Sequence, residues 1–375
     1  MKIIILVRIF WTAGAQKIAI KEAKELQLLG HQAELIFLRG KKVLEYIDLL
    51  EGINYKIISE TGNSIFSPLY QYITHKFVPD RGVESRVDYN LIKKFPEYIK
   101  NEKVDYIICH DQLAGLAGFY AFKKFGVKYS VFIHERLSFN NSILGKLWHY
   151  YEHKILKNAV KVFTITEKVA RTVETMHNTK AITNYPGMDI HKITEFNKKE
   201  NALIAVSMWD YGRKPEVYLD IIEKIPDFTL YFVGNFRIKE LEDEFKDEIK
   251  KRKLEKKVIM KQGISEYELL ELYQKSKFVI RFGFGEYGLG SAMEAFQNCD
   301  PLIINSDLGT VELVNRYSCG IVLNSISASD IKKFIDENNN ENSYKTLQNN
   351  IVKLSNDYSW KAHVERLLIP LSSSK

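Results

Sequence analysis

Cysteine, proline and long apolar runs are scarce in this 375-residue chain, and each scarcity excludes a class of protein. The 3 cysteines, Cys109, Cys299 and Cys319, are widely spaced and form no paired motif, which excludes a disulfide framework and a cysteine-based zinc site. With 8 prolines and 20 glycines, the composition is neither collagen-like nor disordered. No uncharged apolar run reaches about 18 residues, so we expect no membrane-spanning helix. The opening apolar run, Ile3–Val7, is too short for a signal peptide and predicts a buried strand.

The excess positive charge lies in the first half of the chain. Residues 1–190 contain 27 Lys and Arg against 19 Asp and Glu, whereas the remainder is nearly balanced. No dense basic tract or RNA-binding signature accompanies this charge, so we expect no nucleic-acid partner. A phosphorylated substrate or an anionic membrane surface fits better. Because the cysteines form no disulfide framework, we expect a cytoplasmic protein. Peripheral docking on the cytoplasmic membrane face is left open, and the aromatic segment Ile65–Val78 is a candidate for that contact.

Short runs rich in Ile and Val alternate with helical segments, which is typical of βαβ units and a parallel sheet. The strands predicted in the first half are Ile3–Val7, Gln32–Phe37, Tyr55–Ile58, Tyr106–Cys109, Ser130–Ile133 and Val162–Thr166. Those predicted in the second half are Ala202–Ser207, Thr229–Val233, Lys257–Met260, Phe278–Arg281, Pro301–Ile304 and Gly320–Leu323. The expected fold class is α/β, with two doubly wound Rossmann-like domains facing each other across a ligand-binding cleft.

A polar stretch separates the two series of strands and marks the expected domain boundary. We expect an N-terminal domain over residues 1–185, a linker over 186–201 and a C-terminal domain over 202–355. The first predicted helix, Gln16–Leu29, ends at Gly30, which is a typical C-cap glycine.

A glycine-rich loop with two glutamates follows the predicted strand Phe278–Arg281. Glu286 lies in the loop, and Glu294 follows after seven intervening residues, about two turns inside the next helix. A G-x-G-x-x-G pattern beginning at Gly283 nearly matches a dinucleotide fingerprint, but a carboxylate inside the loop disfavours a pyrophosphate there. Backbone N–H groups around Gly288–Ser291 form a helix N-terminus that attracts phosphate. A carboxylate on each side of a phosphate cradle suits a nucleotide-diphosphate sugar.

On this Glu-x7-Glu motif, and on the segments Pro301–Asn305 and Gly309–Val314 after it, the chain resembles the retaining GT-B glycosyltransferases of the family-4 type over nearly its whole length. The resemblance implies that Glu286 contacts the donor-sugar hydroxyls and that Glu294 binds the ribose. It implies that the diphosphate is bound by the loop and helix start, with Gly288, Leu289, Gly290 and Ser291 as donor-binding residues. It also implies that residues 1–185 form the acceptor-side domain and that residues 202–355 form the nucleotide-sugar-binding domain. A C-terminal helix, residues 356–375 with Trp360, is expected to return towards the N-terminal domain.

Two cations follow the first predicted strand of the C-terminal domain. A cation beside a diphosphate stabilises the charge that develops on the leaving group. The family has an Arg and a Lys here, and the resemblance places Lys214 at the lysine position. Met208 stands where the family has the arginine, so Arg213 is the candidate replacement. We therefore expect Arg213 and Lys214 at the donor phosphates, with Lys214 as a catalytic residue.

The N-terminal half offers two further candidate site residues. Gly14 precedes the first helix and would let the backbone approach a phosphate or acceptor oxygen closely, although Ala15 stands where the family often has a second glycine. His134 follows the fifth predicted strand, at the carboxyl edge of the sheet, and is expected to project into the cleft. The resemblance implies that His134 contacts the donor sugar near the reacting carbon. His110-Asp111 is similarly placed and is expected to be structural.

We expect neither a metal nor a cofactor. His149 and His153 are spaced to share one helix face, but no third ligand is evident, and the chain lacks the Asp-x-Asp triplet that anchors metal in the other major glycosyltransferase fold. The expected function is transfer of a hexose-type sugar from a nucleotide-diphosphate donor to a glycan, lipid-linked or other acceptor. Retention of configuration is implied by the resemblance, and a front-face route is preferred because no carboxylate nucleophile can be nominated. The alternatives are a non-enzymatic nucleotide-sugar sensor and an NAD(P)-dependent oxidoreductase.

Overall fold

The structure is a computed structural model that describes residues 1–10, 14–40, 47–59, 89–135, 137, 141–284, 289 and 291–372. The chain divides into two compact units, which we call the first and second domains. The first consists of Met1–Gly187 together with Trp360–Lys375, and the second consists of Met188–Ser359.

The first domain is built on a parallel sheet of seven strands in the order β3-β2-β1-β4-β5-β6-β7. Its elements are β1 (Lys2–Ile9), α1 (Gly14–Leu28), β2 (Gln32–Arg39), β3 (Tyr55–Ser59), α2 (Tyr89–Ile99), β4 (Tyr106–His110), α3 (Gln112–Phe125), β5 (Lys128–Ile133), α4 (Ile143–Asn158), β6 (Val162–Thr164), α5 (Glu167–His177) and β7 (Ala181–Thr183). The central strands β1, β4 and β5 are almost entirely buried, as parallel strands between helical layers must be, whereas the edge strand β3 is only partly buried. Gly30 ends α1 with a φ of 81°, the left-handed conformation that a C-cap glycine supplies.

The second domain repeats the same strand order with six parallel strands, β10-β9-β8-β11-β12-β13. Its elements are β8 (Glu200–Val206), α6 (Glu216–Lys224), β9 (Thr229–Val233), α7 (Lys239–Lys251), β10 (Val258–Lys261), α8 (Glu266–Lys275), β11 (Ser276–Arg281), α9 (Ala292–Gln297), β12 (Leu302–Asn305), α10 (Val311–Tyr317), β13 (Gly320–Leu323), α11 (Ala328–Asn338) and α12 (Glu341–Asp357). Aromatic rings fill much of its core, among them Trp209, Tyr218, Phe232 and Phe278. Both domains are therefore Rossmann-like.

The last helix, α13 (Trp360–Ser372), packs against α1 in the first domain. Trp360 lies directly over Gly187, where an added Cβ would come within 2.4 Å of the Trp360 ring. Only glycine therefore fits at position 187. No helix among the described residues is long and apolar enough to cross a bilayer.

Several segments differ in their bounds from the sequence-based expectation, and three of them have an evident physical reason. Glu200 and Asn201, expected in the linker, open β8, where the Glu200 carboxylate accepts a hydrogen bond from the Tyr231 hydroxyl at 2.7 Å. β6 ends two residues earlier than predicted because the side chain of Thr166 caps α5. The short strand Ala181–Thr183 was not predicted, since three residues carry too little periodicity.

Strand order places a switch point in each sheet, between β1 and β4 and between β8 and β11, where the chain changes its direction of growth. In open α/β sheets ligands bind outside the carboxyl ends of the strands at such points. The candidate ligand-binding residues are therefore those that follow the carboxyl ends of β1 and β4 and of β8 and β11.

Candidate functional site

In the second domain, the start of α9 is fixed to the switch point by one hydrogen bond. Ser291, at the N-cap of α9, donates from Oγ to the carbonyl oxygen of Val206 at the end of β8, at 3.0 Å. This bond places the start of α9 at the carboxyl end of β8. Glu286, Gly288 and Gly290 of this loop lie outside the described residues.

The segment after β8 is anchored by Trp209, which is fully buried. Its indole N–H donates to the Val233 carbonyl at 3.0 Å, and its ring stacks on Phe232 with centroids 3.9 Å apart. A single 3-10 turn, Tyr211–Arg213, follows and leads to Lys214 in the left-handed conformation, with φ 47° and ψ 63°. The position of Lys214 is thus set by a rigid aromatic anchor five residues earlier.

Lys214 meets the loop that carries the predicted glutamate. Its exposed side chain places Nζ 4.9 Å from the centroid of the Phe284 ring, a cation–π distance. Phe284 stands two residues before Glu286, so the structure brings the expected cation to the start of the expected sugar-binding loop. Arg213 is partly buried beside it, and Met208, at the place of the family arginine, is 46% exposed.

The start of the same loop is clamped by Asn305, which sequence reasoning missed. The Gly283 N–H donates to Asn305 Oδ1 at 2.9 Å, and Asn305 Nδ2 donates back to the Gly283 carbonyl at 2.8 Å. A Cβ at Gly283 would lie 3.2 Å from the backbone nitrogen of Leu308, so the clamp favours a residue without a side chain. The sequence signal for Asn305 was its position as a polar residue at the end of the otherwise apolar strand β12.

Glu294 is held by a buried tyrosine. Its Oε2 accepts a hydrogen bond from the Tyr273 hydroxyl at 2.9 Å. Burial, followed by the negative charge of Glu294, raises the pKa of Tyr273 well above its usual value, so the phenol remains a donor. Tyr273 therefore orients the carboxylate that the resemblance assigns to the ribose. The only sequence signal for this role of Tyr273 was its place on the buried side of α8.

The expected phosphate cradle is described only at Leu289 and Ser291. Leu289 is buried, and the Ser291 hydroxyl proton is used on Val206, so a phosphate contact of these residues falls to their backbone amides. These two residues precede α9, which has only six residues and therefore a small helix dipole. An anion there would be attracted mainly by the backbone N–H groups at the start of the helix.

In the first domain, His134 lies just beyond β5 and belongs to a chain of buried polar groups. Its Nε2 is 2.8 Å from His110 Nδ1, and His110 Nε2 is 2.8 Å from a carboxylate oxygen of Glu22. The other oxygen of Glu22 is 2.7 Å from Nε2 of His363, on α13. His110 was expected to be structural, and Glu22 and His363 were missed. Their only signal was a polar residue within the buried stripe of α1 or α13.

Gly14 opens α1 at the carboxyl end of β1. A Cβ there would meet no described atom within 4 Å, and its φ is not positive, so neither packing nor backbone conformation requires glycine. Next to His110, Asp111 adopts a φ of 81° and caps α3 by accepting from the N–H groups of Leu113 and Ala114. Asp111 therefore caps α3 with a positive φ, whereas N-cap residues usually have an extended conformation.

Among the described residues, one group of side chains could supply three metal ligands: His149, Glu152 and His177, whose ligand atoms lie within 4.8 Å of one another. The second histidine of the predicted pair, His153, lies with its ring 6.1 Å from that of His177. The rings of His149 and His177 stack at 4.4 Å and 25°, and Glu152 already bonds His177 at 2.8 Å. Because imidazole lone pairs lie in the ring plane, nearly parallel rings do not converge on one ion.

Two Rossmann-like domains, with a cation, a glutamate and a helix start gathered at the switch point of the second, define a glycosyltransferase of the GT-B fold. The chain belongs to the GT-B glycosyltransferases of the family-4 type. The family model Glycosyltransferase Family 4 matches residues 12–192, and the model Glycosyl transferases group 1 matches residues 188–353.

Solved structures share this architecture at low identity. HepE from Anabaena, in complex with UDP, is 15% identical with a TM-score of 0.73, over 100% of both chains. Sucrose-phosphate synthase from Thermosynechococcus elongatus is 16% identical with a TM-score of 0.72, over 100% of both chains. A glycosyltransferase from Rickettsia africae ESF-5 is 17% identical with a TM-score of 0.73, over 98% of this chain and 97% of the other. No curated protein matches the sequence. At such identities the likeness establishes the fold.

Proposed function

We propose that the protein is a retaining glycosyltransferase that moves a hexose-type sugar from a nucleotide-diphosphate donor to an acceptor held by the first domain. The observation that carries this proposal is the meeting of Lys214 with Phe284 at the β8–β11 switch point. HepE, of the same fold, was solved with UDP and with UDP-glucose, which supports a nucleotide-sugar donor here. Family membership argues against the oxidoreductase alternative.

Each group of the site has a proposed partner on the donor. Lys214 contacts the diphosphate, with Arg213 as a second cation in place of the family arginine. Glu286 binds the sugar hydroxyls, Glu294 binds the ribose, and His134 contacts the sugar near the reacting carbon. The diphosphate is also bound by the loop and helix start, formed by Gly288, Leu289, Gly290 and Ser291, and Gly14 approaches the donor from the first domain.

The proposed reaction follows a front-face route. The bond between the anomeric carbon and the diphosphate oxygen breaks, and the acceptor hydroxyl oxygen bonds to the same face of that carbon. The hydroxyl proton passes to the departing diphosphate. Negative charge grows on the diphosphate as the bond breaks, so the Lys214 ammonium and the backbone N–H groups stabilise the transition state more than the bound donor. The route needs neither a metal nor a protein nucleophile.

Donor binding and stereochemistry test this proposal. We expect one of the UDP-, GDP- or ADP-sugars to raise the unfolding temperature, because a ligand at about 100 times its Kd stabilises by about 2.7 kcal/mol. NMR of the product should then show the donor's anomeric configuration. Binding without transfer would favour the sensor alternative, and an inverted product would refute the retaining mechanism.

A matched pair of tyrosine variants tests the nucleotide site itself. Tyr273→Phe removes the donor to Glu294, whereas Tyr231→Phe removes an equivalent donor to Glu200 at the other end of β8. We expect only Tyr273→Phe to weaken nucleotide binding, by about tenfold for a lost hydrogen bond to a charged group. Equal affinities in the two variants would contradict the assignment of Glu294.

The acceptor is proposed to be membrane-borne, and the outer face of α4 supports this. Ile143 is 86% exposed, and Leu147 and Tyr150 are 41% and 53% exposed. They recur at intervals of four and three residues on the side of α4 opposite its buried residues. We define the α4 outer face by these three residues with Lys146 and Lys154. Exposed apolar groups in such a row mark an interaction surface.

Charge makes an anionic lipid surface the occupant that fits the α4 outer face. Lys146 is exposed, and the Lys154 ammonium lies 4.2 Å from the centre of the Tyr150 ring, so basic and aromatic groups alternate along the helix. Tyrosine with lysine suits the boundary between headgroups and acyl chains. Each well-placed lysine adds about 1 kcal/mol of attraction to anionic lipid. The segment Ile65–Val78, also proposed for this contact, lies outside the described residues.

Cosedimentation with vesicles tests this docking surface. We expect binding to phosphatidylglycerol vesicles at low salt, little binding to phosphatidylcholine, and loss of binding near 1 M salt, where charges are screened beyond about 3 Å. A variant with Ile143, Leu147 and Tyr150 changed to Ser should stay in the supernatant. The control changes Leu28 and Tyr267, which are 73% and 70% exposed, to Ser and should still bind. Equal binding of both variants would refute the α4 outer face, and efficient transfer to a soluble acceptor without vesicle binding would refute the membrane-borne acceptor.

A further inference from the structure

Glu22 is the centre of a buried polar chain that ends at His134. Its two carboxylate oxygens are 2.8 Å from Nε2 of His110 and 2.7 Å from Nε2 of His363. These three side chains are at most 1% exposed. They come from α1, β4 and α13, which are distant in sequence, and all three belong to the first domain.

The protons on this chain can be assigned from the partners. Burial alone would raise the pKa of Glu22, but the hydrogen bonds from His110 and His363 and the positive charge on this pair of histidines lower it from 4.5 to about 2. Glu22 is therefore ionised at neutral pH and only accepts, so both histidines donate from Nε2. His363 Nδ1 lies 2.8 Å from the carbonyl oxygen of Tyr185, which also only accepts. His363 thus carries protons on both nitrogens and forms a buried cation beside the Glu22 carboxylate.

His110 is left neutral by the same reasoning. One cation, His363, already balances the single negative charge of Glu22, and a second cationic imidazole would leave uncompensated charge in the interior. The nearby charges of Arg8 and Asp111 pair with each other at 3.3 Å. With its proton on Nε2, neutral His110 presents a lone pair at Nδ1, 2.8 Å from His134 Nε2. His134 must then donate from Nε2.

We propose that Glu22 and His110 are positioning residues that fix the ring of His134 in its Nε2–H tautomer, with His363 as the buried counter-cation. The ring of His134 is held in addition by stacking on Phe132, with centroids 4.7 Å apart. This inference rests on the proposed function in one respect, which is the contact of His134 with the donor sugar. The nitrogen of His134 that carries the proton is thus determined by groups in the interior of the first domain.

A second buried pair in the same domain provides a control. His177 and Glu152 are also joined at 2.8 Å and are at most 3% exposed. Their contacts lead to His149, on α4, and not to a residue at the carboxyl edge of the sheet. Glu152→Gln therefore perturbs a histidine–carboxylate pair of the same kind without touching the Glu22 chain.

Nitrogen-15 NMR of histidine-labelled protein tests the proton assignment without any activity measurement. In the native protein near pH 7 we expect His134 and His110 to be neutral with the proton on Nε2, and His363 to be protonated on both nitrogens. A native spectrum with His134 protonated on Nδ1 alone, or with neutral His363, would overturn the inference. Because this result comes from the native protein, it does not depend on a variant that folds.

His110→Phe tests the positioning role, because Phe keeps a flat ring in place of the imidazole and removes the acceptor from Nε2–H of His134. We expect the His134 signals to change in His110→Phe and not in Glu152→Gln, and the turnover of the donor to fall by about 10–100-fold in His110→Phe alone. Unchanged His134 signals in His110→Phe would refute the relay. If the signals change as expected but neither the native protein nor Glu152→Gln transfers sugar, the proposed function fails while the relay stands.

Discussion

The buried ion pair of Lys199 with Asp300, next to the amino end of β8, should be sensitive to the loss of its cation. Lys199 and Asp300 have fully buried side chains, with Nζ and Oδ1 2.6 Å apart. Lys199 also donates to three carbonyl oxygens at 2.8–3.2 Å, those of Tyr273, Gln274 and Ser276. Lys199→Met would leave these acceptors and the carboxyl without a donor.

Breaking one side of a buried pair typically costs about 3–5 kcal/mol, and we expect a loss of this size in the free energy of unfolding of the second domain. Burial raises the pKa of Asp300 to about 7 although Lys199 opposes the shift. A carboxyl whose pKa is raised by folding stabilises the fold while protonated, and this contribution is lost as pH rises from about 4 to about 7. Without Lys199 the pKa rises further, so the deficit of Lys199→Met should grow above pH 7.

Urea-dependent hydrogen exchange, followed by mass spectrometry of peptides, separates the two domains. Peptides of β8 and β11 should lose protection in Lys199→Met, whereas those of β1 and β4 serve as an internal reference. Lys198→Met is the matched control, because Lys198 makes an exposed pair with Glu195 that is worth at most about 1 kcal/mol. Lys199→Met/Asp300→Asn should be more stable than Lys199→Met. A double variant less stable than this single variant, or a loss below about 1 kcal/mol in Lys199→Met, would refute the reasoning.

Three further predictions follow from the proposed site and from the Glu22 chain. Lys214→Ala should lower kcat at saturating donor, whereas Glu294→Ala should chiefly weaken nucleotide binding. The control Lys224→Ala, at the other end of α6, should change neither kcat nor nucleotide affinity. Equal losses of kcat in Lys214→Ala and Glu294→Ala would contradict this division of roles. Transfer should survive dialysis against EDTA, and loss that magnesium or manganese restores would contradict a metal-free site. Glu22, with its pKa lowered from 4.5 to about 2, should contribute about 3 kcal/mol to the stability of the first domain. This contribution is present above pH 4.5 and is lost towards pH 2. Hydrogen-exchange protection of β1 and β4 that stays constant over this window would contradict the prediction.

Elements whose signals are local could be predicted from the sequence at residue precision. The helix Glu266–Lys275 begins at a local signal, the capping box formed by Ser265 and Glu268. The strand Thr229–Val233 has the bounds that were expected, since its apolar run ends at Gly234. Strand order was not predicted, because the pairing of β1 with β4 and of β8 with β11 depends on contacts far apart in the chain.

The residues that hold the site in place were beyond sequence reasoning for the same reason. Tyr273, Asn305 and Glu22 each act on a partner that lies between 21 and 341 positions away. The sequence reveals that each is a polar residue in an apolar setting, and such residues need a partner when buried. It does not reveal the partner, because that depends on how the helices pack on the sheet. His110 was expected to be structural, and its link to Glu22 was not foreseen.

Topology explains why the cation could keep its place although the family arginine is absent. β8 and β11 are neighbours at the switch point, so residues just after them meet whatever their sequence separation, as Lys214 and Phe284 do. Met208 precedes the buried anchor Trp209, and Arg213 follows it in the turn that leads to Lys214. Met208 and Arg213 therefore flank the same buried anchor after β8, which supports the proposal that Arg213 takes the place of the family arginine at the donor phosphates.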